Sequence, residues 1–154
     1  MDNLAIVAVA LGSNLGDRRA HLDYAVSRLV SVLSSLRVSR YRETDPVDVP
    51  GAQPAFLNAA AVGATPMTPQ ELLAELLAIE RERRRERPFP GAARTLDLDL
   101  VLFGDLVLVE PALIVPHPRF RERGFVLDPL AELAPDLVDP VTGLRVAELL
   151  ARVR

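Results

Sequence analysis

Residues 4–11, Leu-Ala-Ile-Val-Ala-Val-Ala-Leu, are apolar at both odd and even positions. A strand with one face in water alternates polar with apolar residues, so a strand apolar throughout must be covered on both faces. This segment predicts a central strand in a sheet with further layers above and below. Its eight residues fall well short of the ~20 that a membrane-spanning helix needs, and Asp2 with no preceding basic residue is unlike a secretory leader. A cytoplasmic protein with no membrane partner is expected.

The rest of the chain supplies those layers. Gly12-Ser13-Asn14-Leu15-Gly16 has turn chemistry, and Asp17 can cap a helix that presents Leu22, Val26, Leu29, Val30 and Leu33 on one face and ends near Ser35. Strands are expected at 36–41 and 56–62. The connection 42–55, roughly 14 residues with Pro46, Pro50 and Pro54, reads as a structureless binding loop or lid. Thr68-Pro69-Gln70-Glu71 joins a capping box to proline at the first helical position. The helix that follows carries Leu73, Leu76, Leu77 and Glu80 before Pro88 and Pro90 break the pattern. Residues 96–103 alternate Leu96, Leu98, Leu100 and Leu102 with Asp97, Asp99, Val101 and Phe103. The order β-α-β-β-α-β predicts an α/β (α+β) fold with a ferredoxin-like sheet and two helices on one face. A C-terminal extension adds a strand at 107–109, a loop at 116–123 and helices near 129–133 and 147–151. With no repeat and no linker, residues 1–154 are expected to form a single domain.

Composition restricts the chemistry. All 18 basic residues are arginine, and the chain has no cysteine and two histidines, His21 and His117. Disulfides, thiolate nucleophiles, cysteine zinc sites, Schiff bases and a Walker A lysine are therefore excluded. Phosphate could be handled only by arginine, backbone N–H groups and metal ions. Asp97 and Asp99, at i and i+2 of one strand, share a face with Cα atoms roughly 6.6–6.8 Å apart. Adjacent hard oxygen ligands suit Mg²⁺, which takes one or two carboxylates and leaves its other positions to water and phosphate. An edge strand showing its polar side to water would carry the same pattern. Arginine placement favours the metal: 81–87, Arg94 and 119–123 together carry +6 within a chain of net charge −3, leaving −9 elsewhere. Ion pairs between i and i+4 would account for Arg81 and Arg83. Arg85, Arg87 and Arg94 instead lead into the acidic pair, and arginines beside Mg²⁺ ligands form the kind of clamp that phosphoryl transfer uses. His117 stands between two prolines at a loop surface, whereas His21 needs no special account. Phe56, Asn58 and Phe125 combine apolar faces with an amide that a buried site must satisfy.

Several segments, in order, resemble the 6-hydroxymethyl-7,8-dihydropterin pyrophosphokinase family of folate biosynthesis. They are residues 10–17 (Ala-Leu-Gly-Ser-Asn-Leu-Gly-Asp), Thr44-Asp45-Pro46, Phe56-Leu57-Asn58-Ala59, Ile79-Glu80, Arg85 with Arg87, Arg94-Thr95-Leu96-Asp97-Leu98-Asp99, Pro116-His117-Pro118-Arg119 and residues 123–130. The resemblance implies a ferredoxin-like fold and transfer of pyrophosphate from ATP to the pterin hydroxymethyl group with release of AMP. It implies that Asp97 and Asp99 hold two Mg²⁺ ions and that Arg85 and Arg94 act with them on the transferring group. Glu80, Arg87, His117, Arg119 and Arg123 would bind ATP. Thr44, Asp45, Pro46, Val47, Phe56, Asn58 and Phe125 would bind the pterin, with the two phenylalanines sandwiching its ring. The chain departs from the family pattern at Arg84, where glycine is usual, and at Ala92-Ala93, where proline usually precedes the arginine. A monomer is expected. The competing readings are a non-catalytic ferredoxin-like binding module, which leaves the acidic pair and arginine clusters unexplained, and a nucleic-acid binder. The net charge of −3 and only seven aromatic residues oppose the latter.

Overall fold

The computed structural model describes residues 3–45, 53–83 and 95–154. Strand β1 (Ala5–Ser13) leads to α1 (Arg18–Val32), then β2 (Ser34–Val38), β3 (Arg42–Thr44), β4 (Phe56–Thr65), α2 (Pro69–Arg83) and β5 (Asp97–Phe103). A hairpin, β6 (Leu108–Glu110) and β7 (Leu113–Val115), precedes a 3-10 turn at Phe120–Glu122 and the helices α3 (Gly124–Leu133) and α4 (Val146–Val153). The main sheet runs β2-β4-β1-β5, with β3 also on β4, and its strand pairs are antiparallel. This is the ferredoxin-like order, and β1 lies inside it as its apolar run requires.

Each face of the sheet has its own core. Val7, Val9, Leu11, Leu98 and Leu100 pack against Leu22, Ala25 and Leu29 of α1 and Leu72, Leu76 and Ile79 of α2. Ala8, Ala60, Val62, Val101 and Leu102 pack against Phe120, Val126, Leu127 and Leu130, and against Val146, Leu149 and Leu150 of α4. The C-terminal extension is thus the third layer, and both faces of β1 are buried.

Local chemistry explains the boundaries. The Asp17 carboxylate accepts the Ala20 N–H at 3.0 Å, and Gly16 makes the preceding turn at φ +74°. Thr68 and Glu71 exchange their capping-box hydrogen bonds at 2.9 and 3.1 Å. The helix faces differ from expectation at Val30 and Leu77, which are exposed while Ala25, Leu72 and Ile79 are buried. Strand β1 runs on through Gly12 and Ser13, and α1 stops at Val32, before Ser35 takes positive φ. The strand expected at 36–41 is β2, which begins two residues earlier and ends at Val38, where the Ser39 hydroxyl takes the Ala60 N–H and interrupts the ladder on β4. The connection 42–55 is not structureless: Arg42–Thr44 pair with β4. In β5 a bulge opposite Ala8 and Val9 shifts the alternation, sending Leu102 to the second core and Phe103 to the first. Helix α3 starts at Gly124 and keeps Pro129 inside it, rather than starting there. Strand β7 escaped the sequence reading. No helix among the described residues is long and apolar enough to cross a membrane.

Candidate active site

Strand register assembles one row of side chains. Gly12 pairs with Asn58 of β4 on one side and with Asp97 of β5 on the other, while Arg42 of β3 pairs with Asn58. Paired residues stand on the same face, so Arg42, Asn58, Gly12 and Asp97 cross four strands in line. Thr44 with Phe56 flanks the row on one side, and Ala10 with Asp99 on the other. All lie on the face that α3 and α4 partly cover. The acidic pair does occupy an edge strand, yet its carboxylates are half-buried rather than fully exposed.

Glycine at position 12 has a steric reason. A Cβ there would stand 3.1 Å from Asn58 Oδ1 and 3.7 Å from the Phe56 ring. Asn58 is buried, and its amide nitrogen donates to the Thr44 hydroxyl, which orients the side chain with its oxygen toward Gly12. Below the row, the buried Asn14 amide donates to Gln53 Oε1 at 3.1 Å and the Pro54 carbonyl at 3.3 Å. Arg18 reaches the Ala55 carbonyl at 2.8 Å and Glu43 at 2.7 Å. These contacts fix where β4 begins, and hence Phe56. Arg42 donates to Glu132 of α3 at 2.6 Å, and Glu132 also takes the Arg40 N–H at 2.9 Å, tying β3 to the helix that carries Phe125. Phe125 is partly buried against the second core, with the Arg123 guanidinium 5.6 Å from its ring centre.

The loop beyond β7 brings cations to the acidic end. Its Val115-Pro116 bond is cis, and the His117 N–H bonds the Val101 carbonyl of β5 at 2.9 Å. Burial pushes the His117 imidazole below its ordinary value, and the Arg123 guanidinium pushes the same way; Asp97 opposes them and Arg119 adds to them. The imidazole is therefore neutral at neutral pH. Because its Nδ1 accepts the Arg119 N–H at 3.2 Å, the ring proton is assigned to Nε2, which can donate to an anion. On α2, Glu80 accepts the Leu98 N–H at 2.7 Å, closing the open side of β5 between Asp97 and Asp99.

The structure thus brings Thr44, Phe56 and Asn58 together at one end of the row and Asp97, Asp99, Glu80, His117, Arg119 and Arg123 at the other, with Phe125 beside Arg123. Asp45 is exposed at the end of β3. Pro46, Val47, Arg85, Arg87 and Arg94 lie outside the described residues, as do Arg84, Ala92 and Ala93. Gly12 and Arg42 were missed by sequence reasoning; the signal at Gly12 was read as a turn, since strand pairing is not visible in one sequence. Around residue 81, where i,i+4 pairs are expected, the contacts among the described residues run between helices: Glu82 pairs with Arg28 of α1, and Arg83 bonds His21 Nδ1 at 3.0 Å. The cause is the side-by-side packing of α1 and α2, which also gives His21 a definite partner.

Asp97 and Asp99 fit a Mg²⁺ site of the type completed by substrate phosphates. Among the described residues no third acidic or histidine ligand joins them, as expected when a polyphosphate supplies the remaining oxygens.

The family profile described as 7,8-dihydro-6-hydroxymethylpterin-pyrophosphokinase (HPPK) matches residues 8–135. The chain is 45% identical over 153 residues to a 2-amino-4-hydroxy-6-hydroxymethyldihydropteridine pyrophosphokinase of Pseudomonas aeruginosa, covering 94% of this chain and 90% of that one. It is 38% identical to the folic acid synthesis protein fol1 of Pneumocystis carinii over 99% of its own length, but spans only 20% of that longer protein. The wild-type HPPK-DHPS of Plasmodium falciparum superposes with a TM-score of 0.76 at 14% identity, over 99% of this chain and 45% of the other, a likeness that shows the fold. The chain belongs to the 7,8-dihydro-6-hydroxymethylpterin-pyrophosphokinase family.

Proposed function

We propose that this chain transfers the pyrophosphoryl group of ATP to the hydroxymethyl oxygen of 6-hydroxymethyl-7,8-dihydropterin, releasing AMP. One observation supports the residue roles: the row Asn58, Gly12, Asp97 puts a buried side-chain amide and a carboxylate pair on one sheet face. Phe56 and Phe125 hold the flat pterin by its faces, and Asn58 reads its polar edge. Thr44 orients Asn58, and Asp45, Pro46 and Val47 complete that end. Glu80, Arg87, His117, Arg119 and Arg123 hold ATP, while Arg85 and Arg94 act on the transferring group.

Asp97 and Asp99 would hold two Mg²⁺ ions, which supply positive charge to the phosphate oxygens. The hydroxyl oxygen forms a bond to the β-phosphorus, the bond from that phosphorus to the α,β-bridging oxygen breaks, and AMP leaves with those electrons. His117 is unsuited to take the hydroxyl proton, because Nδ1 already accepts the Arg119 N–H. The carboxylates of Asp97 and Asp99, across β1 from Asn58 in the register, are left as the acceptors of that proton. Alignment of two bound substrates supplies most of the acceleration, and Gly12 allows the close approach.

The protein acts as a single domain over 1–154, as a cytoplasmic monomer, with no nucleic-acid or membrane partner; the −9 charge outside the three arginine segments opposes a nucleic-acid partner. Incubation with Mg²⁺, ATP and the pterin alcohol is expected to form one AMP per pterin consumed. ADP as product, or no turnover by folded protein, would reject the assignment.

A further inference from the structure

Between the two candidate ATP-binding arginines of the 116–123 loop stands one that faces away from them. Arg121 directs Nε and Nη2 onto the two carboxylate oxygens of Asp139, the latter at 2.9 Å. Asp139 is fully buried and also accepts from the Thr142 hydroxyl at 2.7 Å and the Val141 N–H at 3.1 Å. Its backbone is bonded at both ends, from its N–H to Leu144 and from the Gly143 N–H to its carbonyl, each at 2.8 Å. The carboxylate is thus a fixed point. Phe120, the residue before Arg121, is completely buried in the second core. An apolar anchor sets the depth of the 3-10 turn but leaves it free to rotate, whereas a two-pronged guanidinium–carboxylate pair also fixes orientation. Arg119 and Arg123 are the two residues that flank this three-residue turn, and the Arg123 N–H bonds the Phe120 carbonyl, so the orientation of the turn is passed to both.

We infer that Asp139, acting through Arg121, is a positioning residue that sets the rotation of the 116–123 loop and so aims His117, Arg119 and Arg123 at the phosphates of ATP. The inference rests on the reading of that loop as phosphate-binding. Asp139 lies beyond residue 135, where the family match ends, so this chain's C-terminal extension contributes to the site as well as to the core.

The test compares the unaltered protein with Asp139→Asn and with the double variant Arg121→Met/Asp139→Leu, measuring thermal unfolding, ATP and pterin affinity by calorimetry with Mg²⁺, and AMP formation. Removing one partner of a buried pair destabilises, while replacing both with apolar groups is often nearly neutral. The double variant is therefore expected to unfold near the temperature of the unaltered protein and yet to bind ATP about 10-fold more weakly, with pterin affinity unchanged. Asp139→Asn is expected to lose both stability and ATP affinity. ATP affinity unchanged in the double variant would overturn the positioning role, as would equal losses for both substrates. Because ATP affinity is measured without turnover, it reports on the loop independently. Failure of the unaltered protein to form AMP would overturn the pyrophosphokinase reading instead.

Discussion

Gly12 separates the Asn58 amide from Asp97, and the 3.1 Å that a Cβ would leave to Asn58 Oδ1 means the amide would have to shift by a few tenths of an ångström. Elsewhere in a strand, alanine is preferred to glycine by roughly 0.5–1 kcal/mol. Gly12→Ala should therefore leave the unfolding temperature unchanged or slightly raised while weakening pterin binding by about 10-fold. Equal pterin KM values for the two proteins would show that the pterin binds elsewhere. Asp97→Asn keeps shape and removes charge. It should lower kcat by about 100-fold or more with no loss of thermal stability, since two carboxylates on one strand face repel. A variant fully active at ordinary Mg²⁺ concentration would remove Asp97 from the metal site. That Asp97 and Asp99 share one sheet face was legible in the sequence because it depends only on spacing within one strand. Gly12 was not, because its role exists only once β4 and β5 lie on either side of it, and Asp139 was not, because its partner is 18 positions away.

Helices α1 and α2 lie side by side on the first face, joined at their exposed sides by charge. Glu82 accepts from Arg28 Nε at 2.8 Å and Nη2 at 3.1 Å and from the Tyr24 hydroxyl. The Arg28 hydrogen bond is the main cause, with Tyr24 second, of a Glu82 carboxyl pulled down to about 2 from 4.5. A carboxyl with a lowered folded value releases its proton more readily in the folded state. Its stabilisation is complete above 4.5 and is lost as pH falls toward 2. Glu82→Gln should lower the unfolding temperature slightly at pH 7, and the difference from the unaltered protein should shrink between pH 4.5 and 2 and also in high salt. A difference that stays constant across that range would assign the effect to packing. Most of the elements themselves were readable, because caps and apolar periodicity are local: Asp17, Thr68 and Glu71 behave as their types predict. The misread places are those where a side chain or bulge redirects the ladder, as Ser39 ends β2 early and the β5 bulge exchanges Leu102 for Phe103.

The whole molecule divides its work between the two faces of the sheet. The first face, under α1 and α2, is closed by core packing. The second is shared between the α3–α4 core and the row from Arg42 to Asp97, with Phe125 at the start of α3 packed on that core and Glu132 near its end bonded to Arg42. A matched pair of substitutions separates the roles. Leu29 of α1 is fully buried in the first core and Leu130 of α3 is 1% exposed in the second. Either change to alanine removes the same atoms and should cost about 2–5 kcal/mol. Because the sheet lies between them and they share no contacts, the two costs should add when combined. Their effects on activity should differ. Leu29 lies at the far end of α1 from Arg18, the α1 residue that reaches Ala55, so Leu29→Ala should leave both KM values unchanged at a temperature where the protein is folded. Leu130→Ala lets α3 settle into the space left behind, moving Phe125 relative to Phe56, and should raise the pterin KM. If both variants alter pterin KM equally, the two faces are mechanically coupled through the sheet and the division of labour is wrong. If neither does, Phe125 is held by its own contacts with Arg123 rather than by the packing of its helix.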